Sequence, residues 1–130
     1  MESVSLELHN DNLAGGDEIF IEIIQGSKSC QVKKATRIDK GKTKTWNNEI
    51  DLGTCFSATF DISTNNITFK LKTTHGNFLW SNDFKPKMVT IIIGNAIFKS
   101  EEINDWVDIT KGSSPRIAKK IGKKFSLTLP

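Results

Sequence analysis

The stretch VTIIIGNAIF, residues 89–98, sets five β-branched side chains, Val89 to Ile93, ahead of Gly94-Asn95 and a second apolar run, Ala96 to Phe98. β-Branched residues pack well on a pleated surface and favour extended backbone. Gly and Asn tolerate the positive φ that a two-residue hairpin turn needs. The stretch therefore reads as a fully buried strand, Val89 to Ile93, a tight turn and a returning strand, Ala96 to Phe98, and it commits the neighbouring chain to β-structure.

The same period of two runs outward from this hairpin. Val4, Leu6 and Leu8 alternate with Ser5, Glu7 and His9; Phe56, Ala58, Phe60 and Ile62 alternate, as do Ile67, Phe69 and Leu71. Each run predicts a strand with one buried face. Turn formers separate them: HNDNLAGGD, QGSKS, DKGK, DLGT, STNN, HGN and SNDFKPK. Their spacing of roughly 8 to 15 residues predicts an all-β fold, an antiparallel β-sandwich of about eight strands over residues 1–110. Leu6, Phe69, Leu71, Ile91, Ile93 and Trp106 are its expected core. After the hairpin, Ser100 can cap a single helical turn that would bring Ile103, Trp106 and Val107 inward.

Residues 111–130 form a basic segment of the same domain. KGSSP, 111–115, reads as a short hinge. Pro115 can open a helix, with Ile117 and Ile121 four apart on a basic amphipathic turn or two. Phe125, Leu127 and Leu129 then alternate as a closing strand. The segment carries Lys111, Arg116, Lys119, Lys120, Lys123 and Lys124 and no acid, which leaves 12 bases against 15 acids in the rest of the chain. The net charge of +3 is thus concentrated in the last 20 residues.

With 130 residues, 37% apolar and 25% charged, the composition is that of an ordinary globular domain. No apolar run approaches the roughly 20 residues of a spanning helix. The opening MESVSLELH lacks the basic start and apolar centre of a secretory signal, so the expected location is the cytoplasm, or outside it with a signal removed. Cys30 and Cys55 lack CxxC spacing and read as two reduced thiols, the disulfide alternative requiring an oxidising compartment. Asn66-Ile67-Thr68 is a glycosylation sequon.

Catalytic constellations are scarce. His9 and His75 are the only histidines, each beside a turn and without metal-ligand spacing. Gly15-Gly16 is a turn signal and too little for a phosphate loop. Asp17-Glu18 and Glu101-Glu102 are adjacent pairs, whose side chains leave a strand on opposite faces and cannot serve one bond. The expectation is a protein that is not an enzyme. Nucleic acid fits poorly, because bases outside the last segment are interleaved with acids and no aromatic ladder lies on a basic face.

One stretch stands apart. TTHGNFLWSNDFKPK, 73–87, places Phe78, Leu79 and Trp80 side by side between turn formers, as core or as a docking tip. Several segments in order resemble a PLAT (lipoxygenase-homology) domain, similar to the C-terminal membrane-binding module of bacterial alpha-toxin-type phospholipases. They are VSLELHNDNLAGGDEIFIEI, GKTKTWNNEIDLG and, most closely, DFKPKMVTIIIGNAIFKSEEINDWV, together spanning about residues 4 to 108.

That resemblance implies docking to an anionic membrane surface or a protein partner through loops at one end of a sandwich. Phe78, Leu79 and Trp80 would form the tip, and Arg116, Lys119, Lys120, Lys123 and Lys124 a basic surface. It also implies a calcium site from Asp17, Asp39, Asp83 and the carbonyls of Gly15 and Phe84, since calcium takes six to eight oxygens. Leu13 stands where that family carries an acid, so the expected site is weak or absent. The alternatives are a carbohydrate-binding, lectin-like sandwich, with Trp80 stacking on a sugar beside Asn77, Asn82 and Asp83, and a structural subunit using the loop as an oligomer contact.

Overall fold

The computed structural model of the chain describes residues 2–9, 13–39, 41–74, 84–108 and 110–123. The strands are β1 (Glu2–Leu8), β2 (Leu13–Gln25), β3 (Lys28–Gln31), β4 (Ala35–Ile38), β5 (Thr43–Asn47), β6 (Asn66–Thr74), β7 (Pro86–Ile93), β8 (Ala96–Ser100) and β9 (Arg116–Lys123). One short helix, α1 (Asn48–Leu52), and a 3₁₀ turn, Gly53–Cys55, follow β5. The predicted hairpin is β7–β8: Ile93 pairs with Ala96, and Gly94 takes φ +61° in the two-residue turn.

All strands belong to one antiparallel sheet in the order β3-β2-β6-β9-β8-β7-β1-β5, with β4 also on β2. Register sends one set of side chains inward from every part of this path. Val4 opposes Trp46 and Ile91, and Ile91 opposes Phe98; Ile21 opposes Leu71, and Ile67 opposes Ala118. All are buried. A sheet with a single buried face covers that face by curling on itself, and this one does. Fully burying an aliphatic or aromatic side chain contributes roughly 1.5 to 3 kcal/mol, and Trp46, Phe69, Phe84 and Phe98 are the largest of those enclosed.

The two ends of the path, β3 and β5, are clasped by the segment around α1. Cys30 on β3 is disulfide-bonded to Cys55. Thr54 Oγ1 accepts from the Gln31 amide at 2.7 Å and donates to the Gln31 carbonyl at 3.2 Å, taking the place of a neighbouring strand. The Lys33 amide donates to the Asp51 carbonyl at 3.0 Å, and Trp46 Nε1 donates to the Lys33 carbonyl at 2.7 Å. Unpaired edges are templates for aggregation. Here one is satisfied by side chains and a helix.

Leu6, Phe69, Leu71 and Ile91 are buried as expected, and Ile93 is partly covered. Other expectations are corrected. The cysteines are bridged, not reduced. Phe56 to Ile62 is not a strand: Phe56 and Ser57 turn away from the 3₁₀ segment, and Ala58, Phe60 and Ile62 lean on the core without a ladder partner. Ser100 caps no helical turn; it ends β8, and its hydroxyl accepts from the Val89 amide at 3.0 Å. Residues 116–123 form β9, not a helix, and this strand sits between β6 and β8 near the middle of the sheet, while the expected closing strand of Phe125, Leu127 and Leu129 lies outside the described residues. Period four fits both structures, since residues i and i+4 share a face in either. KGSSP is no hinge either. Ser113 donates its amide to the Leu71 carbonyl at 2.7 Å and its hydroxyl accepts from the Leu71 amide at 2.9 Å. Gly112, at φ +71°, lies so close that a Cβ would stand 2.5 Å from the same carbonyl.

Candidate binding site

Four segments converge at one end of the curled sheet. β1 ends beside the starts of β5 and β7, with Glu7 opposite Thr43 and Leu8 opposite Pro86. Beyond it the His9 amide donates to the Lys85 carbonyl at 2.9 Å, and the Gly41 amide to the His9 carbonyl at 2.8 Å. The connection from β4 to β5 is tightened by the Lys42 amide on the Asp39 carbonyl at 3.1 Å. The fourth segment, residues 101–108, runs along the start of β7, where Phe84 and Val107 exchange backbone hydrogen bonds of 3.2 and 2.8 Å. His9 Nε2 donates to the Ile103 carbonyl at 2.9 Å and pins that segment to β1.

This arrangement reverses the expected burial of Trp106. Val107 and Ile103 are buried beside Phe84, and neighbours in extended backbone face opposite ways. Trp106 is therefore turned outward and is 59% exposed. Lys85 Nζ lies 5.9 Å from its ring centroid, within range of a cation–π contact. A helical reading had put residues 103, 106 and 107 on one face; an extended one separates 106 from 103 and 107. That is the signal by which the sequence could have shown an exposed indole.

The expected docking residues Phe78, Leu79 and Trp80 lie outside the described residues, as do Asp83 and Lys124 and the side chains of Asp17 and Lys123. The described residues bounding that stretch, Thr74 at the end of β6 and the buried Phe84, are both at the end that carries Trp106: Thr74 opposes Glu18 near the start of β2, and Phe84 bridges Val107. Of the expected calcium ligands, Gly15 and Asp17 lie on β2, Asp39 is exposed in the β4–β5 connection, and the Phe84 carbonyl already accepts the Val107 amide. Among the described residues no three His, Cys, Asp or Glu side chains gather around a common point.

The expected basic surface is mostly engaged. Arg116 Nη2 donates to Asp105 Oδ2 at 2.8 Å, while its buried Nε has no partner. Lys119 Nζ lies 3.9 Å from Glu101 Oε1. Lys120 Nζ donates to the Ile62 carbonyl and stands 5.8 Å from the Phe98 ring centroid. β9 carries these residues progressively away from Trp106: Arg116 and Lys119 meet the converging segment 101–108 at Asp105 and Glu101, and Lys120 does not. Asp108, beside Val107, accepts from Thr110 Oγ1 at 2.7 Å and from the Thr110 amide at 2.8 Å, and these bonds hold its carboxyl below the usual carboxylate range.

No protein-family model matches the chain, and neither does any curated protein.

Proposed function

We propose that the chain is a non-catalytic binding module that docks onto an anionic lipid surface with the end of the sheet bearing Trp106. The observation that carries this reading is the exposed indole paired with Lys85. A tryptophan suits the membrane interface because its body is apolar and its N–H remains wet. A neighbouring lysine adds about 1 kcal/mol near an anionic surface. The stretch with Phe78, Leu79 and Trp80 falls in sequence between Thr74 and Phe84, and both of these bounding residues stand at this same end.

In this reading the curled sheet is a PLAT-type sandwich and the converging segments are its docking loops. Calcium is at most a weak ligand there, for the reason given by Leu13 and because the Phe84 carbonyl has one lone pair already in use. The Cys30–Cys55 bridge supports work in an oxidising compartment, where disulfides persist.

Intrinsic fluorescence tests the assignment of the docking end. Vesicles containing phosphatidylserine are expected to shift tryptophan emission to the blue, and Trp106→Phe to reduce that shift. A spectrum indifferent to vesicles, with a partner protein still bound, would replace the lipid with a protein surface.

A further inference from the structure

A recess lies among the residues of the clasp. Glu2 at the start of β1, Asn47 and Asn48 at the junction of β5 and α1, Leu52, and Phe56 after the 3₁₀ turn line an open groove of about 530 Å³. That volume falls within the roughly 300 to 1,000 Å³ typical of small-molecule sites. Leu52 forms the floor and is buried, while Phe56 is 51% exposed and offers its ring to solvent. The wall is held in place, because Cys55, next to Phe56, is tied to β3 by the disulfide and the Phe56 amide donates to the Gly53 carbonyl at 3.3 Å.

Several of the groove's polar atoms are uncommitted. The Glu2 carboxylate makes no hydrogen bond to a described residue, and its partial burial raises its pKa above the ordinary value against a smaller lowering by the charge of the N-terminal amine. Asn47 makes no side-chain capping bond to α1. Asn48 uses Oδ1 to accept the Ile50 amide at 2.9 Å, which leaves its NH₂ to donate. Asn48 also holds φ +59°, the one positive φ at a non-glycine among the described residues, and this backbone fixes where its amide stands. Two amide donors, an amide acceptor and an acceptor-only carboxylate suit a ligand whose groups both give and take hydrogen bonds, as hydroxyls do. A flat apolar face is wanted as well, since the negative face of the Phe56 ring attracts the positively polarised C–H bonds of a ring stacked on it.

We propose that this groove is a binding site for a neutral pyranose, one sugar ring of an oligosaccharide, stacked on Phe56 with its hydroxyls on Glu2, Asn47 and Asn48. The site is independent of the lipid-docking reading and lies near the strand ends opposite those that carry Trp106. A lipid chain would leave the carboxylate and amides without hydrogen-bond partners in the groove. A simple cation would leave the amide donors unused.

The test is a titration of ¹⁵N-labelled protein with cellotriose, chitotriose and mannotriose in parallel, and with ethylammonium chloride as the competing cation. At least one sugar is expected to shift amides between Asn47 and Phe56, with a dissociation constant near or below about 1 mM. Phe56→Ala and Asn48→Gly, the glycine keeping the positive φ that alanine would strain, are each expected to weaken that binding roughly tenfold, equivalent to about 1.4 kcal/mol. Both positions are exposed, so both variants should fold, and unchanged amide shifts elsewhere in the spectrum would verify it. Silence with all three sugars, sugar shifts that survive Phe56→Ala, or shifts caused only by ethylammonium would overturn the assignment.

Discussion

Trp46 Nε1 reaches across 2.7 Å to the carbonyl of Lys33 and so joins the last strand of the sheet path to the segment leaving its first. The indole is 1% exposed and stands in the core beside Val4, its register partner on β1. One side chain therefore serves both as packing and as the hydrogen-bond donor that closes the curl.

Trp46→Phe keeps much of the packing and removes the donor. The variant is expected to lose about 1 to 3 kcal/mol, from the lost hydrogen bond and the space the indole leaves in the core. Trp106→Phe, at an exposed position, should stay within about 0.5 kcal/mol. Urea denaturation of the two variants checks the contrast, and equal midpoints would contradict the clasp.

The disulfide makes a separate contribution. Cys30 and Cys55 are 25 residues apart, and closing a loop of that length in the unfolded chain corresponds to about 3 to 4 kcal/mol. Replacing both with alanine is expected to lower stability by an amount of that order. A reducing agent should lower the melting temperature of the native chain and leave that of the double variant unchanged.

These positions also show what the sequence could and could not disclose. The β7–β8 hairpin was legible because β-branching and the Gly-Asn turn pointed one way, although the run expected to be fully buried has only Val89 and Ile91 enclosed, with Thr90, Ile92 and Ile93 half-buried. Phe56 to Ile62 shows equally regular alternation and is not a strand, because a run needs a partner edge, and Cys55 is bridged to β3 through a contact that no local pattern announces. Ile117 and Ile121 were ambiguous by physics, their spacing being common to helix and strand. At the end bearing Trp106, the sequence singled out Phe78, Leu79 and Trp80 but enclosed Trp106 in the core, since a large apolar residue is by default an inward one. Only the pairing of Phe84 with Val107 sets the outward direction of Trp106.

Acid should act on two turns with the same chemistry. Asp61 accepts from Ser63 Oγ at 2.6 Å and its amide at 3.0 Å, as Asp108 does from Thr110, and these bonds depress both carboxyl pKa values. A carboxylate whose folded pKa is depressed contributes stability above its unfolded pKa and loses it as pH falls through the folded one. Any loss is therefore expected below the ordinary carboxylate range, from about pH 4 downward. Carboxyl ¹³C titrations are expected to place both groups low, with Ser63→Ala raising Asp61 alone and Thr110→Val raising Asp108 alone.

Flotation with vesicles bears most directly on the proposed function. Wild-type protein is expected to rise through a density gradient with phosphatidylserine-containing vesicles and to stay behind with purely zwitterionic ones. A variant combining Trp106→Ala with serine at Phe78, Leu79 and Trp80 should remain at the bottom of the gradient while retaining the wild-type melting temperature. Wild-type protein that never floats, or a variant that floats as well as wild type, would contradict the placement of a lipid-docking surface at this end of the sheet.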